Sequence, residues 1–216
     1  MTDSPYYPLS LNLHGCRVLV AGGGPVATRK VRRLVEVGAK VLLVSPDATE
    51  ALRRQAQAGE IEWQQRAAVA SDVAGCTLVF AATSDVSSNE AIAQAARVAG
   101  IPVNRADAPQ DCDFLVPALM QRGAVTLAIT TGGQAPALAK WVRRRLEATL
   151  GPDLEAVSHW FVDVRREVLQ HDFPQPIRAK LLRAILDSSA TELAAEGRTD
   201  EALAIARELM EKQKQG

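Results

Sequence analysis

Short apolar runs of Val, Leu and Ile recur at residues 17–21, 40–45, 77–82 and 101–104, each bounded by Gly, Pro, Ser or Asp. A run that is apolar throughout, with no alternation, belongs to a strand covered on both faces. Between the runs, apolar residues step by three and four over about 25–38, 47–58 and 86–99, which predicts helices. "IEWQ" from Ile61 adds a weaker strand. Strand and helix in alternation dictate parallel βαβ units, because a parallel neighbour is reached only through a crossover, and the fold class is therefore α/β with a doubly wound parallel sheet. With 216 residues, 47% of them hydrophobic, the chain can bury such a core.

The rhythm changes after Asp107. "FLVPAL" from Phe114 and "AVTLAIT" from Ala124 read as two strands close together, followed by a helix over about 135–150. From Asp153 the strands stop, and Leu154, Val157, Phe161, Val164 and Val168 place one apolar stripe on a helix. Further helices are expected near 175–187 and 199–213, separated by "FPQP" and "EGRTD".

The first strand hands over to the first helix through Gly22-Gly23-Gly24-Pro25-Val26-Ala27, which satisfies G-x-G-x-x-G/A. Gly22 permits a tight turn, Gly24 lets backbone approach a pyrophosphate, and Ala27 lets helix and strand pack closely. Pro25 suits a first helical turn, where its missing N–H is not needed. A turn that merely joins strand to helix is the competing explanation, but the second strand at the right distance favours dinucleotide binding. An acid ending that second strand normally grips the ribose. Here the strand ends in Ser45-Pro46-Asp47, so the carboxylate is replaced by Ser45 or displaced to Asp47. No arginine follows immediately to recruit a 2′-phosphate, which favours NAD over NADP. Ala82 and Thr83 end the fourth strand, where they either line the cofactor crevice or lead into a Ser/Thr/Asp helix cap.

"VNRADAPQDCDFLVPAL" places Asn104, Asp107, Asp111 and Asp113 just beyond the last parallel strand, at the edge where functional groups collect, although Asp-Ala-Pro is also turn chemistry. "ITTGGQAPALAKWVRRRLE" repeats the order strand, glycines, helix, and its amides around Thr131, Gly132 and Gly133 can bind an anion or simply connect two elements. Each glycine turn is followed by a basic cluster: Arg29, Lys30, Arg32 and Arg33, then Lys140, Arg143, Arg144 and Arg145. Most such charges are a solvated helix face, but their position also suits a polyanionic small substrate. Elsewhere, twenty-five basic residues balance twenty-five acidic ones, so no net field favours nucleic acid or an anionic membrane. No apolar run reaches about 18 residues, and the N-terminus lacks the pattern of an export signal. Three widely spaced cysteines without a CxxC pair fit a reducing cytoplasm. The three histidines are too scattered for a zinc motif, and no GxSxG or Walker lysine motif is present.

Taken together, "PLSLNLHGCRVLVAGGGPVATRKVRRLVEVGAKVLLVSP", "FAATSDVSSNEAI", "VNRADAPQDCDFLVPAL" and "ITTGGQAPALAKWVRRRLE" resemble the precorrin-2 dehydrogenase family, the N-terminal part of siroheme synthases. The resemblance implies a Rossmann-type NAD-binding domain over residues 1–112, a small α+β dimerisation region over 113–150 and a C-terminal helical domain over 151–216. It implies oxidation of precorrin-2 to sirohydrochlorin with NAD, and in some members Fe2+ insertion as well, by a cytoplasmic homodimer. Asp107 falls on the family's catalytic aspartate and Asn104 on a neighbouring polar position. Thr131 falls where relatives often carry serine, and with Asp107 and Asn104 it makes up the catalytic set that the resemblance implies. Pro25, Val26, Pro46 and Asp47 fall on cofactor-contacting positions, and no metal ligand is assigned. The carboxylate-rich tetrapyrrole would give the basic clusters a partner. A Rossmann-type sensor that binds NAD(H) without chemistry of its own is the rival reading.

Overall fold

In the computed structural model, which describes residues 6–215, the apolar runs form a five-stranded parallel sheet. Its strands are β1 (Arg17–Ala21), β2 (Lys40–Val44), β3 (Glu62–Gln64), β4 (Leu78–Ala81) and β5 (Val103–Arg105), in the order β3-β2-β1-β4-β5. The central register aligns Val18 with Val41 on one side and Leu78 on the other. Alternate residues then serve opposite faces. Val18, Val20, Val41, Leu43, Leu78 and Phe80 pack under α1 (Pro25–Glu36) and α2 (Glu50–Gln57). Leu19, Ala21, Leu42, Val44, Val79, Ala81 and Val103 pack against α3 (Val86–Val98). This two-sided burial, worth about 1.5–3 kcal/mol for each large side chain, explains why the interiors of β1, β2 and β4 show no alternation of polar and apolar residues.

The helices start and stop for local reasons. α1 begins with Pro25 at its first position, buries Ala27, Val31 and Leu34, and ends at Gly38, whose φ of +74° lets the Ala39 N–H reach back to Leu34 O. Thr49 caps α2 and Asp85 caps α3, each accepting a backbone N–H with its side chain.

Contacts divide the chain into two compact units, Met1–Val116 and Pro117–Gly216. The second contains an antiparallel hairpin of β6 (Ala118–Arg122) and β7 (Val125–Ile129), then α4 (Pro136–Thr149), α5 (Asp153–Gln170), α6 (Gln175–Leu186), α7 (Ala190–Ala195) and α8 (Thr199–Gln215). Two expectations are corrected. The first hairpin strand starts at Ala118, not Phe114, because Phe114 is drawn to the parallel sheet: its ring meets Phe80 edge-on at 5.2 Å and its carbonyl accepts from Asn104. In the second, the stretch between the two C-terminal helices that periodicity predicts is not all loop but holds the short α7, whose six residues are too few for a periodic signature and whose Ala190 and Ala194 are fully buried. The C-terminal core joins them to Trp160, Val164 and Val168 of α5, Leu181 and Ile185 of α6, and Ala202, Ala206 and Met210 of α8. Among the described residues, no helix is long and apolar enough to cross a membrane.

Candidate functional site

The glycine turn is shaped by backbone crowding on two sides and is open on the third. Gly22 has a φ of +108°, and a Cβ there would lie 2.6 Å from Ala82 C and 2.9 Å from Thr83 N. A Cβ on Gly23 would fall on Asp47 O and 2.8 Å from Ala48 Cα. At Gly24 a Cβ would meet nothing within 4 Å. Gly24 is also the N-cap of α1, and no side chain caps that helix. The N–H groups of the first turn, excepting Pro25, and the positive helix end therefore face outward, as a pyrophosphate requires. Val26 is exposed beside them, and Ala27 is fully buried where helix meets sheet.

The turn after β2 is fastened to this loop. The Thr49 N–H donates to Gly23 O at 2.9 Å, and the Thr49 and Thr28 hydroxyls are 2.8 Å apart. Ser45 is buried, its hydroxyl donating to Asp47 O at 2.6 Å and its carbonyl accepting from Trp63 Nε1 at 3.0 Å. Ser45 is thus a structural part of the turn, while Pro46 and Asp47 are exposed. Asp47 accepts from the Ala48 N–H and from Arg53, and these two bonds, the backbone one first, hold its carboxyl below the usual carboxylate range. The absence of an immediately following arginine is therefore misleading: Arg53, one turn into α2, folds back to the same turn. On the other side of the loop, Ala82 is half-buried under Gly22. Thr83 is committed to the α3 cap, with its N–H bonded to Asn89 Oδ1 at 3.0 Å and its hydroxyl near Asp85 O and Asn89 Oδ1.

Asn104 and Arg105 point to opposite faces of β5. Asn104, aligned with Phe80, is buried on the α1 face, where it donates to Phe114 O at 2.9 Å and accepts from Lys30 Nζ at 2.7 Å. Lys30 lies in the α1 stripe between Ala27 and Leu34, with its ammonium 4.5 Å from the Phe80 ring centre. It has no ion-pair partner among the described residues, and burial lowers its pKa to about 8. Because the unfolded chain would keep lysine near 10.5, the unfolded state binds more protons between those values, and stability rises with pH through that window. Lys30→Met is accordingly expected to improve stability relative to the parent more at pH 7 than at pH 10.5, by on the order of 2 kcal/mol. Denaturant melts at both pH values check this; an effect independent of pH would show that charge burial is not the cause.

Arg105, on the α3 face, is a buried guanidinium that grips two carboxylates. It meets Asp107 through Nη2 at 3.0 Å and Nε at 3.4 Å, and Asp111 through Nη1 at 2.8 Å. Arg97 braces the far side, meeting Asp111 at 2.7 Å and Asp113 at 3.4 Å, while Asp113 Oδ2 accepts the Val103 N–H at 3.0 Å. The Arg105 guanidinium is the main influence that holds the Asp107 carboxyl below its usual range. Asp107 is consequently held ionised and fixed in place, with its basicity weakened.

Thr131 belongs to the second unit, where its hydroxyl accepts the Ala135 N–H at 3.0 Å and closes the turn before α4. The basic clusters are not uniform. Arg32 and Arg33 pair with Glu36, Arg143 pairs with Glu147, and Arg145 stacks 5.1 Å from Trp141. Arg29, Lys140 and Arg144 have no ion-pair partner among the described residues and are exposed. No group of three or more His, Cys, Asp or Glu that could hold a metal occurs among the described residues.

A family described as putative NAD(P)-binding matches residues 9–118, and one described as sirohaem biosynthesis protein central matches residues 122–149. The chain is 37% identical over 198 residues to a siroheme synthase of Methylococcus capsulatus and 35% identical over 197 residues to one of Nitrosococcus oceani. In both cases 91% of this chain aligns with 42% of the relative, so the chain spans less than half of these proteins. The solved structure of "SirC, precorrin-2 dehydrogenase" superposes with a TM-score of 0.78 at 23% identity, covering 98% of this chain and 100% of that one, which shows a shared fold.

Proposed function

Because the chain belongs to the putative NAD(P)-binding family, we propose that it binds NAD and oxidises precorrin-2 to sirohydrochlorin in siroheme biosynthesis. The observation that carries this reading is one sheet edge with two complementary features: an uncapped helix N-terminus behind Gly22, Gly23 and Gly24, and the ionised Asp107 beyond β5. When bound, the nicotinamide supplies the hydride acceptor. The amides of Gly23, Gly24, Val26 and Ala27 hold the pyrophosphate, the Gly22 N–H being engaged by Val44 O at 2.9 Å. Pro46 and Asp47 border the ribose, and Ala82 and Thr83 border the crevice next to it. Asp107 takes the proton that accompanies loss of the hydride from the substrate, and Asn104 braces the same strand end. The chain itself joins a putative NAD(P)-binding part to a sirohaem biosynthesis central part and is 37% identical to a siroheme synthase, which supports precorrin-2 as the substrate.

The active form is a cytoplasmic homodimer. β6–β7 has no other strand beside it among the described residues, and an unpaired strand edge is a template for pairing, which supports association with a second copy. Sedimentation equilibrium giving the mass of one chain would overturn the dimer.

The deciding experiment is anaerobic incubation with enzymatically made precorrin-2 and NAD+, following tetrapyrrole absorbance and NADH together. Equal amounts of sirohydrochlorin and NADH are expected. Tight NADH binding without turnover would overturn the enzymatic reading in favour of a sensor. Fe2+ added to sirohydrochlorin with and without the protein reports separately on chelation.

A further inference from the structure

We infer that the Asp47–Arg53 pair decides between NAD and NADP, with Asp47 rejecting a 2′-phosphate both by its own charge and by occupying the arginine that would bind one. The inference rests on the cofactor reading above and names the residues that set its specificity.

The adenosine ribose of a coenzyme held by this glycine turn lies at the carboxyl end of β2. That end is the turn from Ser45 to Thr49, tied to the glycine loop by the Thr49 N–H on Gly23 O. The turn therefore keeps a fixed distance from the pyrophosphate site. Two opposite charges meet there. Asp47 is oriented by the Ala48 N–H, which donates to its Oδ1 at 2.8 Å. Arg53 is oriented independently: its Nε donates to Ala48 O at 2.9 Å, and its guanidinium lies 6.0 Å from the centre of the Trp63 ring. With Nε and one ring face engaged, the remaining fork of the guanidinium points at the Asp47 carboxylate, to which Nη2 donates.

Each residue taken alone favours a different coenzyme. A carboxylate at this point accepts from ribose hydroxyls and repels a phosphate, whereas a guanidinium binds phosphate through paired N–H groups. In the pair the carboxylate prevails, since a 2′-phosphate would have to approach an anion and take over a donor already in use. The pair is solvent-exposed, so its own ion-pair strength is small. Selection accordingly comes from which charge the ribose meets, and removal of Asp47 leaves Arg53 still aimed by Ala48 O and Trp63.

Direct titration with NADH and NADPH, read by nicotinamide fluorescence and needing no turnover, tests the inference. The unmodified chain is expected to bind NADH at least about tenfold more tightly than NADPH. Asp47→Ser is expected to tighten NADPH by about 10- to 100-fold, the scale of one charge-assisted phosphate contact, and the gain is expected to vanish in the Asp47→Ser/Arg53→Met double variant. Asp47→Asn, which keeps an acceptor for the Ala48 N–H, should shift preference the same way and guards against a damaged turn. An unchanged NADH/NADPH ratio in both single variants, or a gain that survives loss of Arg53, would overturn the inference while leaving NAD binding intact. Failure of the unmodified chain to bind either coenzyme would instead overturn the cofactor reading, and this inference with it.

Discussion

Asp107→Ala is expected to lower turnover by about 100-fold while NADH affinity stays at the parental value. General-base residues contribute about 10²–10⁴-fold, and the lower end applies here because Arg105 holds the Asp107 carboxyl below its ordinary range, which weakens it as a base. What the ion pair provides in return is a carboxylate that is always ionised and fixed in place. The fold should survive the substitution, since Arg105 keeps Asp111, Arg97 keeps Asp111 and Asp113, and Asp113 keeps the Val103 N–H. The sign of the pH dependence follows from the same pair. A depressed pKa leaves the base form populated down to low pH, so no acid limb from Asp107 should appear at or above the ordinary carboxylate value of 3.8. Arg105→Met removes the main depressing influence and moves that limb to higher pH. Single-turnover NADH formation across a pH series measures both effects. Near-parental turnover in Asp107→Ala would remove this carboxylate from the proton transfer, and an unmoved limb in Arg105→Met would show that the guanidinium does not set its pKa.

Arg105 also illustrates which parts of the site the sequence revealed. The glycine turn, the strand that precedes it and the helix that follows are contiguous, and their spacing alone dictates their geometry. The doubly wound sheet is legible for a related reason, because two-sided burial leaves an uninterrupted apolar run. Contacts that depend on where a long side chain turns were hidden. Arg53 is six residues beyond the Asp47 it partners, which lies outside α2, and nothing in "SPDATEALRRQ" distinguishes it from the solvated Arg54, which pairs with Glu50. Lys30 did leave a trace: it sits three residues after Ala27 and four before Leu34, inside the buried stripe of α1. A basic residue at a core position is a stronger signal than four basic residues counted as one cluster. Asp111 and Asp113 stand out in the sequence only as acids beyond the last parallel strand, because nothing there shows that Arg105 at the end of β5 grips Asp111 and that Arg97 on α3 grips both.

Substituting Gly23 and Gly24 by alanine should separate the folding role of the turn from its ligand role. Gly23→Ala puts a methyl group onto Asp47 O, with Ala48 Cα only 2.8 Å away. Both obstacles are backbone, so no side chain can rotate to relieve them. The turn after β2 must move off the glycine loop, breaking the Thr49 N–H to Gly23 O bond that joins the pyrophosphate and ribose ends. Overpacking of this kind costs about 1–3 kcal/mol, a fall in Tm of roughly 2–10 °C, and NADH affinity should fall with it. Gly24→Ala is the counterpart. Its φ of −81° suits alanine and its Cβ would meet no protein atom within 4 Å, so the fold should tolerate it to within about 0.5 kcal/mol. The same methyl group, however, would project into the space that a pyrophosphate must enter, and NADH should weaken by at least about tenfold with Tm unchanged. Thermal melts of the coenzyme-free protein together with NADH titration measure the two quantities independently. Loss of affinity in Gly24→Ala without loss of stability places the phosphate on the open side of the turn; normal affinity there would mean that the coenzyme does not approach the α1 terminus at all.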